Sequence, residues 1–109
     1  KFTTDASGRT GDMTGSLVSL GTLVEGAKVR GSVLGQSVRV HPGADISDSI
    51  LFEKVTVGED ARVQRAILDK GVIVAPGADV GFDAERDRAR GFTVTASGIT
   101  VVAKGLVVA

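Results

Sequence analysis

The chain has 109 residues, 42% of them hydrophobic, and thirteen basic against thirteen acidic side chains leave no formal net charge. That is enough apolar material for one packed domain, and the balanced charge gives no electrostatic reason to expect nucleic acid or an anionic membrane surface as a partner. No cysteine is present, which excludes disulfides and thiolate chemistry, and no apolar run approaches the ~18 residues of a membrane span, so the chain reads as soluble and cytoplasmic.

Fifteen Gly, two Pro and only four aromatic residues, all Phe, accompany abundant Val, Leu and Ile. This mixture predicts many short strands joined by tight turns. Residues 1–14 open on "KFTTDASGRTG" without an initiator Met and read as a linker or N-terminal cap, with the chain itself a fragment or a processed product.

From residue 15 a repeat begins. "HPGADI" at 41–46 returns as "APGADV" at 75–80, and "GEDARV" at 58–63 stands halfway, so the period is 17. Four blocks result, 15–31, 32–48, 49–65 and 66–82. Their third positions are Leu17, Leu34, Leu51 and Leu68, their ninth Leu23, Val40, Val57 and Val74, and their fifteenth Val29, Ile46, Val63 and Val80. Val, Leu and Ile make up 29 of the 109 residues, so twelve positions taken blindly would hold about three of them. Four residues after each ninth position stands an Ala: Ala27, Ala44, Ala61 or Ala78. Four after each third position come Gly21, Val38, Val55 and Val72, and three after the fifteenth come Ser32, Ser49 and Ala66.

The inward positions are therefore spaced six, six and five. A helix needs spacings of three and four, and a two-sided sheet needs longer alternation. A step of six fits a short strand followed by a sharp corner, three to a coil, and predicts a triangular prism of about four 17-residue coils stacked in parallel. Gly26, Gly43 and Gly77 precede three of the corner alanines, and Asp60, tolerant of left-handed backbone angles, precedes the fourth. The prism is expected to occupy 15–82, and its open ends require covers.

Residues 83–90, "DAERDRAR", end the repeat and suit a helical turn. Beyond them "FTVTASGITVVAKGLVVA" alternates and turns at Ser97-Gly98, which predicts a hairpin with room for a third strand. The segment 83–109 is thus a charged joint with C-terminal capping strands.

Chemistry-bearing residues are few. His41 is the only histidine, which rules out a three-histidine metal site within one chain and leaves at most one general base of the kind hexapeptide-repeat acyltransferases use. Beside a Pro-Gly corner, a solvent-facing polar residue is the plainer reading. Asp83, Glu85 and Asp87 alternate with Arg86, Arg88 and Arg90, which reads as a solvated, self-paired face. Arg62, Arg65, Lys70, Arg86, Arg88, Arg90 and Lys104 would form an anion pocket if stacking gathers them, and scattered surface charge if it does not.

"RAILDKGVIVAPGADVGFDAERDRARGFTV" followed by "GITVVAKG" resembles the C-terminal region of the bacterial glucose-1-phosphate adenylyltransferases, the ADP-glucose pyrophosphorylases, and the resemblance covers essentially the whole chain. It is carried by the order of "ILDK", the Pro-Gly corner, "D-x-x-x-D-R-x-R" and "G-I-T-V-V-x-K-G". The resemblance implies an all-β, left-handed parallel β-helix; the period alone does not give the hand. It implies a parent enzyme making ADP-glucose and diphosphate from ATP and glucose 1-phosphate for glycogen synthesis, with Mg and ATP handled by an N-terminal catalytic domain absent from this chain. No cofactor, metal or catalytic residue is expected in the segment itself. Its implied partners are that catalytic domain, further copies in a homotetramer, and a sugar-phosphate effector, but neither nucleic acid nor membrane. Residue by residue, Lys70 closing "ILDK" and Lys104 after "ITVV" match positions contributing to effector-phosphate binding. Lys in place of the Arg of some relatives keeps the charge and loses the bidentate fork. An acyltransferase with His41 as base and a purely structural oligomerisation prism are the alternatives.

Overall fold

Each apolar segment is a strand of two or three residues, and the chain turns a corner before the next one, so successive strands fall on three different faces. The computed structural model describes residues 2–3, 12–14, 17–18 and 21–109. Face I is built from Phe2–Thr3 (β1), Leu23–Glu25 (β4), Arg39–Val40 (β7), Thr56–Val57 (β10), Ile73–Val74 (β13) and Val107–Val108 (β17). Face II holds Asp12–Thr14 (β2), Lys28–Arg30 (β5), Asp45–Ser47 (β8), Arg62–Gln64 (β11) and Asp79–Val80 (β14). Face III holds Leu17–Val18 (β3), Val33–Leu34 (β6), Ile50–Leu51 (β9), Ala66–Leu68 (β12) and Thr100–Val102 (β16), with Thr93–Val94 (β15) at its edge. Every pairing within a face is parallel except β15 with β16. This is the expected all-β prism of stacked parallel coils.

Its axis is filled by the aliphatic columns. Leu34, Leu51, Leu68 and Val102 stack behind face III; Val24, Val40, Val57, Val74 and Val108 behind face I; Val29, Ile46, Val63 and Val80 behind face II, all essentially inaccessible to solvent. Each aliphatic side chain buried this way stabilises by roughly 1.5–3 kcal/mol before chain entropy opposes it. Ala27, Ala44, Ala61 and Ala78 line one edge of the core, where only a small side chain fits.

Every corner contains one residue with positive φ. Between faces III and I these are Gly21, Ser37, Lys54, Gly71 and Gly105; between I and II, Gly26, Gly43, Asp60 and Gly77; between II and III, Gly31, Asp48 and Arg65. Asp60 takes the left-handed position expected of it, with φ 59°. Between faces II and III a hydroxyl ladder supports the turn. The Ser49 amide donates to Ser32 Oγ at 3.1 Å, and the Ala66 amide to Ser49 Oγ at 3.2 Å.

The structure corrects the first coil. Val18, not Leu17, is in register with Leu34, and Val24, not Leu23, with Val40. Thr22, buried to 2% exposure, takes the position assigned to Gly21. The cause is a corner one residue shorter: two residues separate Val24 from Ala27, whereas three separate Val40 from Ala44. Upstream of that corner the period is 16 and downstream it is 17.

The parallel sheets also pass both expected boundaries, 15 and 82. Within 1–14, β1 and β2 pair with β4 and β5; residues 1 and 4–11 of that linker or cap lie outside the described residues. At the other end the hairpin forms, but only β15 lies outside the coil pattern. Strand β16 pairs with β12 and β17 with β13, each 34 residues on, so the third strand of the tail resumes the prism after an excursion one coil long. The joint at 83–90 is a short helix, Ala84–Ala89 (α1), whose N-terminal amides at Glu85 and Arg86 donate to the Asp83 carboxylate at 3.1 and 3.2 Å.

Candidate functional site

The corner between faces III and I is where the sequence-marked lysines come together. Stacking places Gln36, Glu53, Lys70 and Lys104 in one column, each carbonyl but the last accepting from the amide that follows in the next coil. The bonds are Lys54 N–H to Gln36 O at 2.9 Å, Gly71 N–H to Glu53 O at 3.1 Å and Gly105 N–H to Lys70 O at 3.0 Å. Lys104 is thus the next-coil neighbour of Lys70, about 4.8 Å on along the stack. The ladder passes straight across the excursion.

Two carboxylates share this corner. Glu53 Oε1 lies 3.5 Å from Lys70 Nζ, with both side chains substantially exposed, 43% and 57%. Such a pair is worth little in water. Asp69 Oδ1 accepts from the Lys70 amide at 2.7 Å, which fixes the turn. Lys54, one coil before Gly71 and itself at φ 61°, is a third cation here. The sequence reading passed over it, although the period of 17 sets it directly under Lys70-Gly71. Three ammonium groups against two carboxylates leave an open, weakly positive edge whose lysines are solvated. It forms one wall of an anion site.

The other basic residues do not join it. Arg62 and Arg86 converge instead on Asp79, at 3.1 and 2.8 Å, and Arg62 also covers the Phe82 ring at 4.5 Å. The Arg65 guanidinium donates to the Ser97 carbonyl. Arg90 pairs with Asp87, donates to the Asp79 carbonyl at 2.9 Å and lies 5.0 Å from the Phe92 ring. The single pocket of seven cations that stacking might have assembled does not exist, because most of these arginines fasten the tail to face II. Face II itself presents Lys28, Asp45, Arg62 and Asp79 in one register, a self-neutralising column.

The expectation of a solvated acidic face at 83–87 is also corrected. Glu85 is exposed and Asp83 caps the helix, but Asp87 is only 1% exposed. Its carboxylate binds Arg90, accepts from the Gly81 amide at 3.0 Å and accepts from the Thr100 hydroxyl at 2.8 Å. The signal was present in the spacing, since Asp83 and Asp87 are four apart and a residue one turn inside a capped helix faces the same way as its cap.

His41 is half-buried at the mouth of a shallow depression of about 240 Å³, lined also by Thr56, Gly58, Glu59, Ile73, Val74 and Pro76. Among the described residues no cluster of His, Cys, Asp and Glu is able to hold a metal ion, and no helix is long and apolar enough to cross a membrane.

Face III differs from face II. Val33, Ile50, Ile67 and Val101 share one register along its outer side, with Val33 41% and Ile50 40% exposed, and Phe52 stands next to them at 43%.

Comparison with known proteins agrees with this architecture. Residues 1–102 match the family described as GlmU-like, C-terminal hexapeptide. The chain is 50% identical over its full 109 residues to a protein of Frankia casuarinae named glucose-1-phosphate adenylyltransferase. It is 51% identical over 108 residues to the protein of that name from Bifidobacterium adolescentis, and 52% identical over 106 residues to the one from Leifsonia xyli subsp. xyli. These alignments take in 100%, 99% and 97% of the chain but 26% of each relative, so the chain spans about a quarter of the length of the curated relatives it matches.

Proposed function

Since the chain belongs to the GlmU-like C-terminal hexapeptide family, we propose that it is the C-terminal regulatory and assembly domain of a glucose-1-phosphate adenylyltransferase. The parent enzyme makes ADP-glucose and diphosphate from ATP and glucose 1-phosphate in the cytoplasm, for glycogen synthesis, and its catalytic domain, with Mg and ATP, precedes this segment. The observation that carries this reading is identity of about half over the whole chain to relatives bearing that enzyme's name. The prism itself supplies no nucleotide-binding loop.

Lys70 and Lys104, stacked on one corner with Lys54 beneath, bind the phosphate of a sugar-phosphate effector. Ammonium groups on adjacent coils neutralise a phosphate without the bidentate geometry of arginine. The corner supplies one open wall, which favours a site completed by the catalytic domain. An effector held there biases the arrangement of the two domains and so couples to turnover. The apolar column on face III supports a second role, packing against the catalytic domain or another copy in a homo-oligomer, because exposed aliphatic residues in one contiguous row mark association surfaces.

The test has two arms. The purified chain mixed with ATP and glucose 1-phosphate yields no ADP-glucose; product formation overturns the assignment to a domain without catalysis. In the full-length parent, Lys70→Ala and Lys104→Ala blunt sugar-phosphate activation, and activation curves equal to wild type remove both residues from the site. Binding of an acyl-CoA by the chain would instead support the acyltransferase reading of His41.

A further inference from the structure

The corners between faces fix strand register in the first four coils, because a taut connection of one coil length permits only one pairing. Strand β16 lacks that constraint. It returns to face III after an excursion through α1 and β15, with 31 residues between Leu68 and Thr100. Strands this short contribute few bonds of their own, and a long connection leaves their position open. Lys104 is nevertheless set one coil above Lys70.

We propose that Asp87 is a positioning residue for the phosphate corner: its carboxylate bridges the point where the chain leaves the prism and the point where it re-enters, and thereby sets Lys104 against Lys70. Gly81 is the end of the fourth coil, and its amide donates to Asp87 Oδ2 at 3.0 Å. Thr100 is the first residue of β16, and its hydroxyl donates to the same Oδ2 at 2.8 Å. One oxygen thus holds exit and re-entry together, while the other is engaged by Arg90, which also reaches the Asp79 carbonyl and, at 3.3 Å, the Ala109 carbonyl. The whole carboxylate is buried, so water does not replace a lost partner cheaply. From Thr100 the chain runs four residues to Lys104, through the paired residues Val101 and Val102, so a fixed Thr100 fixes the lysine. A second tether acts at the same place: the Thr100 amide donates to the Arg65 carbonyl at 3.1 Å.

This inference rests on the phosphate-binding reading of Lys70 and Lys104 for its functional meaning, but the positioning is measured separately. The absence of cysteine makes a direct assay possible. In a Lys70→Cys, Lys104→Cys chain the two thiols sit on adjacent coils, within the range of Cα separations a disulfide spans. Disulfide formation under mild oxidation then reports their juxtaposition. Adding Asp87→Ala is expected to slow closure by about tenfold, the equivalent of one charge-assisted hydrogen bond. Asp87→Asn, which still accepts from Thr100 or Gly81, recovers part of the rate. Protection of the Gly35 and His41 amides, bonded to Leu51 and Val57 in distant coils, is expected to stay as in the parent chain.

An unchanged closure rate in Asp87→Ala overturns the proposal. If that variant loses protection throughout, Thr100→Val decides, since it removes only the hydroxyl bridge: slowed closure supports the proposal and unchanged closure overturns it. In parallel, inorganic phosphate is titrated into the lysine-bearing chain and its Lys70→Ala, Lys104→Ala variant by NMR. Equal shifts there sink the phosphate reading while leaving the cross-linking result to stand or fall by itself.

Discussion

Lys104 follows Lys70 by 34 residues yet is its neighbour on the next coil, the Gly105 amide donating to the Lys70 carbonyl at 3.0 Å just as the Gly71 amide donates to the Glu53 carbonyl at 3.1 Å. If the pair acts on phosphate through charge, Lys70→Arg in the full-length parent retains activation, whereas Lys70→Glu raises the half-activating effector concentration by about tenfold or more. Because these side chains are exposed, the effector response is also expected to weaken as ionic strength rises from about 0.05 M to 0.5 M. Activation curves at the two salt concentrations measure both effects, and a salt-independent curve speaks against an exposed phosphate contact.

The exit from the fourth coil depends on Gly81. A Cβ there would lie 1.7 Å from the Gln64 carbonyl oxygen, at a φ of 88°. Gly77 has a similar φ, 73°, but nothing within 4 Å of an added Cβ. Gly77→Ala is therefore expected to cost about 1–2 kcal/mol, the left-handed penalty alone. Gly81→Ala adds a backbone clash and is expected to cost at least about 3 kcal/mol or to displace the joint. Urea midpoints of the two variants test the difference; equal losses would mean that Gln64 yields easily.

The axial columns predict a graded response to truncation. Leu51 is fully buried between Leu34 and Leu68, whereas Val33 on the outer side of the same face is 41% exposed. Leu51→Ala is expected to lower stability by about 2–5 kcal/mol, because flanking coils held by their own ladders cannot collapse into the space. Val33→Ala should change it by no more than about 1 kcal/mol. Chemical denaturation distinguishes them.

Face III gives a prediction about association. Ile50→Asp places a charge in the middle of the exposed aliphatic row without touching the core. The melting temperature of the chain is expected to shift little, while the full-length parent sediments as smaller species or loses contact between its domains. Unchanged sedimentation together with an unchanged domain arrangement would remove this face from assembly.

Much of the prism was readable because its core is written at fixed spacing. Leu34, Leu51 and Leu68, or Val40, Val57 and Val74, repeat at 17 since each must stack on its predecessor along one axis, and no other arrangement of the chain buries them all. The reading slipped in the first coil, where aliphatic pairs at Leu17-Val18 and Leu23-Val24 allow two registers and only the shortened corner at Gly26 decides between them. It also missed the return to the prism at Thr100, because a 17-residue excursion of ordinary polar composition interrupts the pattern.

The sequence by itself determined the coil, its three inward columns and the left-handed corner at Asp60, since these depend on neighbours a few residues away or one period away. Only the tertiary structure decided which charges are spent and which remain available. Arg62, Arg86 and Lys70 look alike along the chain, yet two of them converge on Asp79 while the third stands on an open corner beside Lys104. Asp87 and Glu85 are two residues apart, yet one is buried and bridges Gly81 to Thr100 while the other faces water. The physical reason is that electrostatic roles are set by distance and desolvation in three dimensions, and the partners that fix them lie on other coils.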